Sequence, residues 1–192
     1  MDKLRIPLFP LHSVLFPGGA LPLRVFETRY LDMISQCMRS QSGFGICLIS
    51  DGSEVGDAAT PFNVGTLVEI SYFQQLKDGC LGITARGKQR FRILSSEVQS
   101  NQLTLADIEL LPFVDELALP EEFSDFCGVL SNIFEELGHP YTSLPKSYHS
   151  ATWVSARLAE LLPIGLKEKQ TMLEMDDPIQ RLIRIREILE DK

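Results

Sequence analysis

Apolar residues follow two rhythms along this chain, and the change comes at Pro112. Residues 6–30, IPLFPLHSVLFPGGALPLRVFETRY, gather apolar side chains around four prolines and break at Pro17-Gly18-Gly19. Proline fixes its own φ and donates nothing to a ladder, so it belongs at strand edges, strand starts and turns. The segment therefore predicts short extended pieces joined by a rigid bend. Phe26, Tyr30, Met33, Ile34 and Cys37 then recur at the spacing of one helical face, until Gln41-Ser42-Gly43 ends the pattern. Residues 44–49 form a continuous apolar run, as expected of a strand buried on both faces. Residues 50–61, SDGSEVGDAATP, are small and acidic and predict an exposed loop.

Residues 62–111 read as an antiparallel meander with one buried face. Residues 64–73 are rich in β-branched and aromatic side chains, and Lys77-Asp78-Gly79 supplies a hairpin turn. Leu81, Ile83 and Ala85 alternate with Gly82 and Thr84; Arg86-Gly87-Lys88 predicts a second turn, and Phe91 and Ile93 alternate with Arg90 and Arg92 beyond it. Ser100-Asn101-Gln102 predicts a third turn before residues 103–111. With the opening segment, these strands suffice for a small, distorted barrel.

After Pro112 the period lengthens. Pro120 stands before Glu121 and Glu122, a rigid first turn with favourable acidic charge. Phe123, Phe126, Cys127, Leu130, Ile133, Phe134 and Leu137 share one helical face, which Gly138 and Pro140 terminate. Further helices are predicted over residues 151–162 and 166–175, and a fourth capped by Asp176-Asp177-Pro178. The expected class is α+β: a β-rich pseudo-barrel with one inserted helix over residues 1–115, followed by a C-terminal helical bundle over residues 116–192 packed on it.

Composition narrows the partners. A formal charge of −8 over 192 residues argues against a nucleic-acid surface, which needs a basic patch to meet phosphate. Cys37, Cys47, Cys80 and Cys127 show no CxxC or Cys/His spacing, and Cys37 and Cys47 sit in apolar contexts, so reduced, buried thiols are expected. The start MDKLRIPLFP has no continuous apolar region of the signal-peptide kind. No apolar run approaches the ~20 residues of a membrane span. These features together read as a cytoplasmic protein without a membrane partner.

Chemistry-bearing motifs are few. Residues 82–88, GITARGK, fit GxxxxGK, but Gln89 replaces the Ser or Thr that holds Mg²⁺ and a strand replaces the helix whose amides face phosphate. His12, His139 and His149 have no second ligand at helical spacing, and Ser13 and Ser147 lack a nucleophile-elbow context. Arg86, Lys88, Arg90 and Arg92 make a basic strip that reads as a solvated strand face, as do Arg181, Arg184 and Arg186 on the last helix. No catalytic, cofactor-binding or metal-binding residue is assigned, and an enzyme is not expected. Aromatic residues remain: Phe16, Phe62, Tyr72 and Phe73 are the candidates for an apolar groove that recognises polypeptide, alongside Phe9, in a β region where most rings should be core. Tyr72 and Phe73 are neighbours in one strand, so at least one is expected to be accessible.

The opening stretch PLFPLHSVLFPGGALPLRVFETRY resembles the start of the N-terminal, substrate-engaging domain of the ATP-dependent protease Lon. Val64-Gly65-Thr66 with Glu69-Ile70, Asp78-Gly79, and Gly87 with Arg90-Phe91 match that family's β pattern in order. Residues 158–163 (LAELLP), Lys169-Gln170, Leu173-Glu174 and Arg181-Leu182 match its helical part. The resemblance implies a PUA-like β part and a stand-alone relative of that domain. Lon itself continues into ATPase and Ser/Lys protease modules, which this sequence does not show. The implied role is a non-catalytic module that binds unfolded or extended polypeptide, as client, or a protease or chaperone partner. The alternative is RNA or small-ligand binding through the PUA-like barrel. Neither composition nor resemblance specifies an oligomeric state.

Overall fold

The computed structural model describes residues 3–190 and has the expected α+β class. The chain divides into two compact units, Met1–Pro112 and Phe113–Lys192. The first contains seven strands and one helix among its described residues: β1 (Lys3–Leu11), β2 (Ala20–Val25), α1 (Thr28–Ser40), β3 (Phe44–Asp51), β4 (Thr60–Pro61), β5 (Val64–Gln75), β6 (Leu81–Val98) and β7 (Thr104–Leu110). The bend at Pro17-Gly18-Gly19 is the predicted one, with Gly18 at φ 78° and the Gly19 amide donating to the Phe16 carbonyl.

Strand β1 closes the sheet by changing partner halfway. Its residues 3–7 run antiparallel to β7, and residues 8–11 run parallel to β3. Each half thus meets one neighbour, a situation in which Pro7 and Pro10 are tolerated. Followed through its pairings, the sheet runs from β1 to β7, β6, β5 and β3 and back to β1, a closed barrel of five strands. Strand β2 adds to β6, and β4 to β3.

Small residues set how tightly the barrel packs. Ile6, Leu8, Cys47, Phe91, Ala106 and Ile108 form one buried cluster. A Cβ on Gly45 would lie 2.6 Å from Cζ of Phe91, and one on Gly65 would lie 2.9 Å from the same atom, so both positions must be glycine for that ring to fit. A larger cluster forms on the other side of the strands: Phe9, Leu11, Leu15, Val25, Phe44, Ile46, Val68 and Ile83 pack with Tyr30, Met33, Ile34 and Cys37 of α1. Phe9 stacks on Tyr30 with ring centroids 4.0 Å apart.

Two sequence expectations are corrected in this unit. First, Arg86-Gly87-Lys88 is not a turn: β6 runs unbroken from Leu81 to Val98. The register against β5 shifts between Leu67 and Val68, and the Phe16–Gly18 bend crosses Gly87 so closely that a Cβ there would overlap the Phe16 carbonyl. The glycine therefore serves a backbone crossing inside a strand: the Gly18 amide donates to the Gly87 carbonyl at 2.9 Å, and the Gly87 amide donates to Gly19 at 3.0 Å. The GxxxxGK residues all lie in β6, the strand context their sequence predicts. Second, Phe26 is not on the buried face of α1. Glu27 caps that helix in an extended conformation, which leaves Phe26 outside it and 55% exposed.

The second unit holds α2 (Asp125–Leu137), α3 (Ala151–Leu161), α4 (Leu166–Glu174) and α5 (Pro178–Glu190), with 3₁₀ turns at Glu121–Phe123 and Tyr141–Ser143. Helix α3 is central and contacts α2, α4 and α5. Its start is fixed by Ser150, whose Oγ accepts from the Trp153 amide at 3.0 Å. Asp177 caps α5 in the same way, accepting from the amides of Ile179 and Gln180. The α2 face is narrower than its sequence suggests: Leu130 and Phe134 are fully buried, Phe126 and Ile133 are half-buried, and Leu137 is exposed. Phe123 is buried from the preceding 3₁₀ turn, which puts it out of phase with the helix.

Arg181 departs most from expectation. It is buried, and its guanidinium donates to the carbonyls of Met172 (2.9 Å) and Met175 (2.6 Å) and to Ser155 Oγ (3.1 Å). A cation at the C-terminal end of α4 satisfies carbonyls that the helix leaves open. Arg184 and Arg186 are the surface residues expected, paired with Glu168 and Glu187 and with Glu122.

Candidate functional site: a groove beside the β5 edge

Strands β5 and β6 pair along the whole length of β5, from Val64 opposite Arg92 to Gln75 opposite Leu81. The other edge of β5 is laddered to β3 only at Thr66, Leu67 and Val68. Beyond Val68 the β5–β6 ribbon continues to the Lys77-Asp78-Gly79 turn, where Gly79 takes φ 83° and Asp78 Oδ1 accepts from the Cys80 amide. The turn is the one its sequence predicts.

What stands opposite this stretch of β5 is the end of α1. Gln41 adopts a left-handed conformation (φ 51°, ψ 36°) and its amide donates to the Cys37 carbonyl, which ends the helix and returns the chain to β3. Between that helix end and β5 lies an open groove of about 590 Å³. Met38 and Gln41 line one side, and Leu67, Ile70, Tyr72 and Phe73 line the other.

A β-bulge shapes the groove. Ile70 faces Ala85 but Tyr72 faces Thr84, so Ser71 is the extra residue, and its hydroxyl donates to the Thr84 carbonyl at 3.1 Å. Bulges re-aim side chains and recur beside functional sites. Tyr72 and Phe73 are 49% and 56% exposed, although neighbours in a strand point to opposite faces. The ribbon here extends past the β3 ladder, so neither ring is drawn into the core.

The groove's electrostatics are quiet. Its two charged side chains are Glu69 and Lys88, paired at 3.1 Å. Cys37 lines its floor, but burial raises the thiol pKa above the ordinary value, and Sγ is turned to the Gly43 carbonyl. A thiol held neutral in this way is no nucleophile. Histidine is not among the lining residues, and Lys88, the lysine among them, is engaged by Glu69. Among the described residues, no group of three or more His, Cys, Asp or Glu side chains is placed to hold a metal ion.

Of the four aromatic candidates, the structure brings Tyr72 and Phe73 together at this groove and leaves the other two outside it. Phe16 is 1% exposed, so it belongs to the core and has no surface to offer a polypeptide. Phe62 is half-buried between β4 and β5, its amide donating to the Leu48 carbonyl. Met38, 38% exposed, was not singled out by sequence. The signal was present, since Met38 is an apolar residue just off the Tyr30, Met33, Ile34, Cys37 face. The basic strip is dispersed: Arg90 is buried, Lys88 pairs with Glu69, and Arg92 lies 3.9 Å from Glu109. None of the described helices is long and apolar enough to cross a membrane.

Comparisons with known proteins agree with this architecture. The chain is similar to a Lon N-terminal domain protein from Xanthomonas campestris, with 37% identity, a TM-score of 0.77, and coverage of 95% of this chain and 96% of that one. It shares the fold of the N-terminal domain of the Mycobacterium avium complex Lon protease, with a TM-score of 0.62 at 13% identity. It is 24% identical over 194 residues to the Lon protease of Anaeromyxobacter dehalogenans and 24% identical over 185 residues to that of Cytophaga hutchinsonii. The chain spans about a quarter of the length of these curated relatives, 23% of each. The family model for the ATP-dependent protease La (LON) substrate-binding domain matches residues 5–191, and the chain belongs to that family.

Proposed function

We propose that this chain is a non-catalytic module that binds polypeptide, either as a client in an extended or unfolded state or as a segment of a protease or chaperone partner. The observation that carries the reading is the exposed pair Tyr72 and Phe73 beside a groove lined by Met38, Leu67 and Ile70. Large exposed rings next to a concave apolar surface mark a recognition site. The family's description as a substrate-binding domain points the same way. Free thiols at Cys37 and Cys47, both buried, suit a reducing compartment, and the module is read as cytoplasmic.

Fluorescence anisotropy of a labelled denatured-protein peptide and a labelled RNA hairpin, each across a salt series, tests the reading. Apolar contacts depend weakly on salt, whereas binding to phosphate weakens steeply as counterions are released. Saturable peptide binding with a shallow salt slope is expected. Preferential RNA binding with a steep slope overturns the reading in favour of the barrel as an RNA site.

A further inference from the structure

Resting on the polypeptide-binding reading, we propose its mode: an extended, uncharged client segment joins the sheet as an additional strand along the outer edge of β5, over residues 69–75. Four observations carry this. The first is the ladder. Residues 69–75 pair with β6 on one side, while the β3 ladder on the other side ends at Val68 opposite Phe44. A strand added there continues the line that β3 leaves, so the new ladder is continuous with one already built. Main-chain hydrogen bonds of this kind recognise extended peptides with little regard to sequence.

The second is space. The helix end at Met38 and Gln41 stands across the groove rather than against the strand, and the volume between them is about 590 Å³. That lies within the range of roughly 300–1,000 Å³ typical of ligand sites. The third is the character of the edge. Native sheets protect open edges with lysine, proline, inward-pointing charge or a bulge that twists the edge away. Residues 69–75 carry no lysine or proline; their one charge, Glu69, is paired with Lys88, and their bulge is at Ser71. That bulge leaves both rings at the surface, where they can flank an incoming strand.

The fourth is charge. Glu69 and Lys88 neutralise each other at the groove, and residues 1–112, the unit that holds it, are nearly balanced, with 10 Lys and Arg against 11 Asp and Glu. The groove thus favours an uncharged apolar segment.

Backbone N-methylation tests the mode separately from the function. The probe is a fluorescein-labelled ten-residue peptide of alternating Val and Thr with a Lys at each end, measured by anisotropy with the full chain. Two further versions carry N-methyl groups on the odd or on the even residues. A strand offers alternate amides to one neighbour, so one methylated version is expected to lose roughly tenfold or more in affinity while the other keeps most of it. Met38→Glu, at an exposed position, should weaken the unmethylated peptide several-fold with an unchanged melting curve. If the parent peptide binds and both methylated versions bind equally well, strand addition is wrong and the polypeptide reading stands. If the parent peptide does not bind, the reading beneath it fails and takes the proposal with it. Sedimentation supplies the remaining outcome: a dimer that excludes the peptide and dissociates in Phe73→Ala would make a second copy the occupant of this edge, and would overturn the proposal.

Discussion

Strands β5 and β6 lie side by side for their whole pairing, but their two halves live in different environments. In residues 64–68, the half that includes the β3 ladder at Thr66–Val68, Val64, Val68 and, on β6, Phe91 are buried and two glycines give way to one phenylalanine ring. Where β3 has left, at residues 69–75, every side chain of the same strand but the half-buried Ile70 is exposed, and a bulge interrupts the register. Both halves are rich in β-forming residues. The difference lies in the neighbours, and it teaches that a strand's apolar residues become core only where a second ladder encloses them. The enclosed half holds the fold, and the open half is the one proposed to bind.

Breaking the enclosed half should have the largest effect. Phe91→Ala removes a fully buried ring and is expected to destabilise by about 3–5 kcal/mol. Gly45→Val forces a side chain into the same ring and should destabilise by about 1–3 kcal/mol or more. Both are read by urea unfolding followed by circular dichroism. Alkylation of Cys47, buried in the Phe91 cluster, reports directly on opening of the β unit. In the native protein Cys47 should react far more slowly than the partly exposed Cys80.

In the helical unit, Arg181→Met should destabilise by about 3 kcal/mol, because it leaves the Met172 and Met175 carbonyls without their donor. Fluorescence of Trp153 in α3 follows this loss. Arg184→Met, by contrast, removes only exposed ion pairs with Glu168 and Glu187 and should change stability by less than about 0.5 kcal/mol.

Alkaline pH should produce a smaller effect in the β unit. Burial raises the pKa of the Cys47 thiol above its ordinary 9.0. The folded state therefore keeps a proton that the unfolded state releases. Its contribution to stability is complete below pH 9.0 and declines as pH rises from there toward the raised folded value, by up to about 1.4 kcal/mol per pH unit. Cys47→Ala should flatten the decline between pH 9 and 10. Lys169 in the helical unit runs the other way, since burial lowers its pKa below 10.5 and stability gained there grows as pH rises toward that value. Comparing Cys47 alkylation with Trp153 fluorescence separates the two signs.

Features set by short-range chemistry were legible in the sequence. Asp177 caps its helix, Pro17-Gly18-Gly19 bends the chain, and Asp78-Gly79 turns the hairpin, because each acts within a few residues of itself. Features set by distant neighbours were not. Arg86-Gly87-Lys88 has the composition of a turn, and only the crossing of the Phe16–Gly18 bend explains a glycine inside a continuous strand. Arg181 looks like a surface cation until α4 presents its carbonyls. The candidate groove divides in the same way. The exposure of one ring of the Tyr72–Phe73 pair follows from their adjacency, whereas the burial of Phe16 and the exposure of Met38 do not follow from local sequence, because the end of the β3 ladder and the end of α1 decide which apolar residues meet water.

The central claim is that the open half of the ribbon binds and the enclosed half stabilises. The double variant Tyr72→Ala/Phe73→Ala, assayed in one preparation for urea stability and for anisotropy of the labelled denatured-protein peptide, tests it most directly. Because both rings are about half exposed, stability should stay within about 1 kcal/mol of the parent while peptide affinity falls roughly tenfold or more. Unfolding by several kcal/mol, or unchanged affinity in a folded protein, would contradict the account.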